Sequence, residues 1–310
     1  MDYETFKKEL AEELREFYGQ DAKVDICAVR KNNGKQYDGV QIMLKDEKNT
    51  GAVSVTPVIS LEGLYEQYSG GDVTLEECVE AVCREREKYE AEPDIRCFVE
   101  NLSNWEAVKE YLYPVLIFTG RNQEILEELV SVPMLDLSVV YTVRRKFQRG
   151  WNGCVKVSRK MLEDYGIDAG QLHEQAMRNL KKDGYRFQDI ETVARQIMGI
   201  KDSGEENAGK SGKETVQGRM YVLTNASKAY GAAGILYQEL LREFAGEHDF
   251  FILPSSVHET IFVSVRHPGD KKLFDSMVAE VSEAQVDMEE RLSDHCYYYD
   301  GQKGEIRMCA

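Results

Sequence analysis

The run from Met220 to Val265, MYVLTNASKAYGAAGILYQELLREFAGEHDFFILPSSVHETIFVSV, leaves the fewest choices for how this chain can fold. Met220–Leu223, Phe250–Leu253 and Thr260–Val265 are short apolar runs bounded by turn-forming residues, the signature of strands with at least one buried face. Between the first two, Ala233, Leu236, Leu240 and Phe244 recur at helical spacing after a small-residue start, Tyr230-Gly231-Ala232-Ala233-Gly234. The last two strands are separated only by the polar corner Pro254-Ser255-Ser256-Val257-His258-Glu259, so they are expected to pair as an antiparallel hairpin covered by the helix. A further helix carrying Leu273, Phe274, Met277, Val278 and Val281 completes a β-α-β-β-α order.

The same order reads out earlier. Strands are expected at Tyr113–Phe118, Leu135–Val143 and Cys154–Val157, with a helix over Gln123–Leu129 after the first. Ser158 and Asp168 stand as N-caps of two helices, the second bearing Leu172, Ala176 and Leu180. Ser103-Asn104-Trp105-Glu106 has the form of a capping box. Two related β-α-β-β-α units in one pseudo-symmetric body are a natural hypothesis, although their sequences are too different to establish a duplication.

Upstream, Tyr3, Phe6, Leu10, Leu14 and Phe17 mark one face of an amphipathic helix. A β-meander is expected to follow: Lys23–Arg30, a turn at Asn32-Asn33-Gly34, Asp38–Lys45 and Ala52–Val58. Thr74-Leu75-Glu76-Glu77 is a capping box for a helix running to about Tyr89. The expected fold is therefore α+β with mainly antiparallel sheets. It divides into an N-terminal α-β-β-β-α-α module over 1–92, a central unit over 93–200, a linker over 201–218, and a C-terminal unit with a terminal hairpin over 219–310.

Charge narrows the function classes. Across 310 residues, 39 Lys and Arg stand against 55 Asp and Glu, a formal net charge of −16. Such a surface repels phosphate backbones, whose binding needs basic residues to displace counterions, so no nucleic-acid partner is expected. The densest basic run, Arg144-Arg145-Lys146 with Arg149, beside Phe147 and Trp151, reads as a structural, solvated segment. No apolar stretch is long enough to span a bilayer and the first residues form an acidic amphipathic helix, so a cytoplasmic protein without a membrane partner is expected. The seven cysteines contain no CxxC pair and read as reduced thiols. Cys78 and Cys83 fall on one helical apolar stripe and are expected in a core. His173, His248 and His267 sit among polar or turn residues and read as solvated.

Two motifs invite chemistry that their context does not support. Gly204-Glu205-Glu206-Asn207-Ala208-Gly209-Lys210-Ser211 satisfies the nucleotide-binding pattern GxxxxGK(S/T), but no buried strand leads in and no apolar-striped helix leads out. Gly204, Gly209, Lys210 and Ser211 are therefore a chance match in a Gly/Lys/Glu-rich linker, and no nucleotide or other cofactor is expected. A metal reading would gather His258 and Glu259 with Asp294, His295 and Cys296. It lacks the ligand spacing of known zinc motifs, and no metal is expected.

The corner at 254–259 is the remaining candidate. A hydrolase would use Ser255 or Ser256 as nucleophile and His258 as base, with an acid behind the imidazole. The elbow GxSxG is absent, and in an extended segment Glu259 points away from the face shared by Ser256 and His258. The alternative is that the serines satisfy the turn backbone and His258 anchors it. Asn225, at the end of the preceding strand, can supply an amide nearby, and the helix start at Gly231 can either seat an anion or let the helix approach the sheet closely. Asn225, Gly231, Ser256 and His258 are thus the ligand-binding candidates, and Ser255, Ser256, His258 and Glu259 the catalytic ones.

These phrases carry a resemblance. Met220–Asn225, Tyr230-Gly231-Ala232-Ala233, Ile252-Leu253-Pro254-Ser255-Ser256-Val257-His258-Glu259 (ILPSSVHE), Leu292-Ser293-Asp294-His295 with Tyr297 and Tyr299, and Leu172–Leu180 are similar to an uncharacterised domain-of-unknown-function family of gut Clostridia, Lachnospiraceae-type. The resemblance covers most of the chain and implies a bacterial cytosolic protein, but it transfers no activity, cofactor or catalytic residue. The expected role is a non-enzymatic binding or accessory protein that recognises a partner protein or small ligand through the C-terminal unit. The alternative is a serine hydrolase built on Ser255 or Ser256 with His258.

Overall fold

Amphipathic helices of up to 16 residues and period-two strands find their partners inside two compact units. The computed structural model describes residues 1–44, 58–90, 93–147, 152–198, 219–265, 274–276, 278, 280 and 286–309. The first unit holds 1–108, 145–153 and 164–166, and the second holds 109–144, 154–163 and 167–310. The expected linker at 201–218, with Gly204, Gly209, Lys210 and Ser211, lies outside the described residues, as do most of the expected strand Ala52–Val58, Trp151, His267, and Leu273, Met277 and Val281 of the expected late helix.

In the first unit, α1 (Tyr3–Tyr18) packs against a three-stranded antiparallel sheet of β1 (Ala22–Arg30), β2 (Gln36–Leu44) and β3 (Val58–Ser60), in that order. Helices α2 (Glu62–Gly70), α3 (Leu75–Glu90), α4 (Pro93–Glu100) and α5 (Trp105–Val108) follow. Asp2 caps α1 by accepting the Thr5 N–H at 2.9 Å. Asn33 turns the β1–β2 hairpin at φ 59, a left-handed conformation that Asn tolerates better than most residues. The Thr74 box closes α3 reciprocally: Glu77 N–H donates to the Thr74 hydroxyl at 3.2 Å, and Thr74 N–H donates to the Glu77 carboxylate at 2.7 Å. Phe6, Leu10, Leu14, Val40, Ile42, Cys78, Val82 and Cys83 form the core, so the two cysteines lie where the apolar stripe put them.

Two local readings change, at Phe17 and at the helix after Ser103, and Arg86 adds a placement that no reading covered. Phe17 is 65% exposed, because α1 ends one residue later and Ala11 takes the buried place beside Leu10 and Leu14. Arg86, on α3, is buried and donates from its guanidinium to the Ile42 carbonyl, a placement its charge alone would not suggest. The helix expected from Ser103 is the single turn α5, where Asn104 accepts the Glu106 N–H through its side chain at 3.1 Å.

The second unit contains β4 (Leu112–Phe118), α6 (Gln123–Glu128), β5 (Ser131–Met134) and β6 (Leu137–Lys146). β4 pairs with β6, and β6 with β5, giving the antiparallel order β4-β6-β5, with β7 (Asn152–Lys156) also on β6. The strand expected over Leu135–Val143 is present as β6, beginning two residues later, and a further strand, β5, precedes it. A two-residue turn at Leu135-Asp136 separates β5 from β6, with Leu135 at φ 56. That turn type is normally signalled by Gly or Asn, and Pro133 argues against a strand, so the edge strand β5 was hidden twice over. After α7 (Arg159–Tyr165), α8 (Ala169–Leu180) carries the Asp168/Gln171 capping box and buries Leu172, Ala176 and Leu180. His173 on α8 is not solvated as expected: its Nδ1 lies 2.8 Å from the Tyr141 hydroxyl.

Strand β8 (Arg186–Asp189), helix α9 (Ile190–Ile197) and β9 (Met220–Thr224) lead to α10 (Gln238–Ala245), β10 (Phe250–Ser256), β11 (Glu259–Ser264), β12 (Tyr297–Asp300) and β13 (Glu305–Met308). They form one antiparallel sheet ordered β13-β12-β10-β11-β9-β8. Within it, β9-β11-β10 repeats the order β4-β6-β5: in each β-α-β-β run the first strand pairs with the third. The expected long helix from Tyr230 is broken. Gly231–Leu236 is a 3-10 helix, Tyr237 leaves helical geometry at ψ 77, and α10 begins afterwards. Pro254 does not end β10; the ladder shifts register between Leu253 and Ser256, so the residue without an N–H sits where pairing is interrupted.

Leu14→Ala is expected to destabilise the first unit by about 3 kcal/mol, because it empties a fully buried site, whereas Phe17→Ala should change stability by less than about 0.5 kcal/mol. Chemical denaturation of the two variants checks this.

Candidate functional site

β9 ends at Thr224, and the chain turns from Asn225 to Tyr230 before entering the 3-10 segment. The turn is held by one amide. Asn225 is fully buried; its Nδ2 donates to the Asp183 carboxylate at 2.7 Å and to the Ala229 carbonyl at 2.9 Å. Its Oδ1 accepts the Ala229 N–H and the Ser227 hydroxyl, both at 3.1 Å. All four hydrogen-bonding positions of the amide are therefore filled. These bonds support a backbone with Lys228 at φ 53 and Tyr230 at φ 55, conformations costing about 1 kcal/mol or more each for such residues.

Arg144 reinforces the turn from β6. Its Nη1 donates to the Ala229 carbonyl at 3.1 Å, and its Nη2 lies 3.4 Å from the Asp183 carboxylate. The guanidinium also stands over the Tyr113 ring at 4.3 Å and the Tyr230 ring at 5.6 Å. The expected solvated basic run is thus corrected at Arg144, whose side chain is only 14% exposed. Burial pushes the Tyr230 phenol well above its ordinary pKa, with the Cys154 thiol beside it acting in the same direction.

Gly231 explains the small-residue start. A Cβ there would lie 2.4 Å from the His258 carbonyl oxygen and 2.5 Å from the Thr224 hydroxyl, so only glycine lets the segment touch the β10–β11 hairpin. Thr224 in turn donates to that His258 carbonyl at 3.0 Å, and Ala232 N–H donates to the Val257 carbonyl.

At the hairpin tip, His258 is held by both ring nitrogens. Nδ1 accepts the Tyr230 N–H at 3.1 Å, which fixes the proton on Nε2, and Nε2 donates to Glu290 Oε1 at 3.1 Å. Glu290 also accepts the Val257 N–H through its backbone carbonyl at 2.8 Å. The Ser256 hydroxyl accepts the His258 backbone N–H at 3.1 Å, closing the turn on itself. The fold therefore gathers Asn225, Gly231, Ser256 and His258 around one corner. Ser255 and Glu259 are half-buried neighbours on the strands, and the acid behind the imidazole is Glu290 rather than Glu259.

The metal set considered from sequence is not assembled. Asp294 and His295 instead come together with Asp136 of the β5–β6 turn, one ligand-capable atom of each lying within 4.8 Å of the others. Sequence reasoning missed Asp136, Asp183, Arg144 and Glu290. Each comes from an element far along the chain; Arg144 was visible only as part of a basic run read as solvated, and the three acids carried no local signal.

Residues 3–301 match the model of a family described as "Family of unknown function (DUF5688)". No curated protein and no solved structure matches the chain.

Asn225→Ala is expected to lower stability by about 3 kcal/mol, since it removes a fully buried amide and its four hydrogen bonds to the turn, and Gly231→Ala by about 1–3 kcal/mol through overpacking. Ser255→Ala should be near neutral. Urea midpoints of the three variants provide the check.

Proposed function

We propose that this chain, which belongs to the DUF5688 family of unknown function, is a bacterial, cytoplasmic, non-enzymatic binding or accessory protein that recognises a partner protein or small ligand through the C-terminal part of the second unit. One observation carries the reading: both nitrogens of His258 are engaged, one by a backbone N–H and one by Glu290. A general base needs a lone pair free to take the proton of its nucleophile, and the Ser256 hydroxyl is already bonded to the backbone of its own turn. The corner is built to hold a shape. His258 and Glu290 remain 31% and 41% exposed at its rim, giving a fixed donor–acceptor edge that another molecule can meet.

Other classes gain no support. The net charge of −16 disfavours nucleic acid, and no helix among the described residues is long and apolar enough to cross a membrane.

A fluorophosphonate probe is expected to leave the full chain unlabelled, while a binding ligand raises its melting temperature and Glu290→Gln weakens that rise. Covalent labelling that disappears in Ser255→Ala or Ser256→Ala would establish a nucleophile and overturn the proposal.

A further inference from the structure

We infer that Asp136, Asp294 and His295 form a binding site for one divalent transition-metal ion, of the Zn²⁺ or Mn²⁺ class. The inference rests on a different set of side chains from the His258 corner and stands whether or not that corner binds a partner.

The donor set is mixed rather than merely acidic. One atom from each of two carboxylates and one imidazole nitrogen fall within 4.8 Å of each other, so small side-chain rotations would bring all three to a bonding distance of about 2.0–2.2 Å from one ion. Asp294 Oδ1 is a buried oxygen that accepts no hydrogen bond. It faces His295 Nε2 at 3.2 Å, and ligands on adjacent corners of a tetrahedral zinc site stand about 3.3–3.5 Å apart. A carboxylate oxygen shielded from water without a hydrogen-bond donor is left unsatisfied, and a cation between it and the imidazole would supply the missing partner.

The third ligand is positioned. Asp136 Oδ1 accepts the hydroxyl of fully buried Tyr297 at 2.7 Å, and Oδ2 accepts that of buried Ser293 at 2.9 Å. These bonds fix the plane of the carboxylate and leave a lone pair on each oxygen, which is how outer partners orient metal-ligating acids. Arg121 lies 3.6 Å from the other oxygen, Asp294 Oδ2, and offsets part of the negative charge without occupying Oδ1. The side chains of His295 and Asp294 are 54% and 40% exposed, so an ion has a path in and water can complete its coordination. The imidazole favours a transition ion over Mg²⁺ or Ca²⁺, which prefer all-oxygen shells.

Mn²⁺ titrated into the full chain, followed by the loss of its free-ion EPR signal, tests the site without interference from the seven thiols; Zn²⁺ is then added as competitor. The expected result is one saturable Mn²⁺ site per chain, displaced by Zn²⁺ and weakened about tenfold or more in His295→Ala and in Asp136→Asn. The exposed control His248→Ala should bind as the parent does. His295→Ala alters an exposed side chain and keeps the test valid should Asp136→Asn, which disturbs the Tyr297 contact, fail to fold. Absence of a saturable site, unchanged binding in His295→Ala, or an equal loss in His248→Ala would overturn the assignment.

Discussion

A buried amide must fill every hydrogen-bonding position it carries, and Asn225 does so with four bonds that fix the turn from Thr224 to Tyr230. Much of the second unit depends on that turn. It sets Tyr230 N–H against the imidazole of His258, presents the Ala229 carbonyl to Arg144, and brings Gly231 into contact with the hairpin backbone. The positive φ at Lys228 and Tyr230 is tolerated because the surrounding bonds overdetermine the path. The polar chemistry at this corner is accordingly architectural. A histidine whose two nitrogens are both engaged is a fastening between a loop, a hairpin and the segment that carries Glu290.

Much of the fold was legible because it follows from periodicity. The α1 stripe, the capping boxes at Thr74 and Asp168, and the antiparallel hairpins all read correctly from local sequence. The readings that changed are those in which tertiary contact overrides a local rule. Leu135 occupies a turn conformation that Gly or Asn would have announced, so β5 was missed. Tyr237 breaks what looked like one helical stripe, and the small residues of Gly231–Leu236 form a 3-10 segment whose spacing is set by close approach to the sheet. At the site, Ser256 and His258 were visible because they are two residues apart in one polar corner, and Asn225 because it ends the neighbouring strand. Their partners Asp183, Arg144 and Glu290 were not, since nothing local says which distant charge will meet a buried amide or an imidazole.

The two β-α-β-β runs of the second unit share more than strand order. Each ends in a tight hairpin whose tip carries a titratable residue, Asp136 in one and His258 in the other. Both tips are met by the short stretch from Glu290 to Tyr297. Glu290 bonds the second tip; Ser293 and Tyr297 bond the first. The segment between the 3-10 turn at Met288–Glu290 and β12 is thereby anchored at both ends, and it carries Asp294 and His295 between the anchors.

The shared strand order also dictates the sequence in which the sheets can close. In each run the hairpin is local: Leu253 need only find Ile261, and Val132 need only find Val139. The outer strand must wait, because Leu223 pairs with Thr260 and Leu116 with Val139 across an intervening helix. Closing the longer loop costs about 1 kcal/mol more in chain entropy in each case. Hairpin formation first and capture of the opening strand second is therefore the cheaper route, and it is available twice in the same chain.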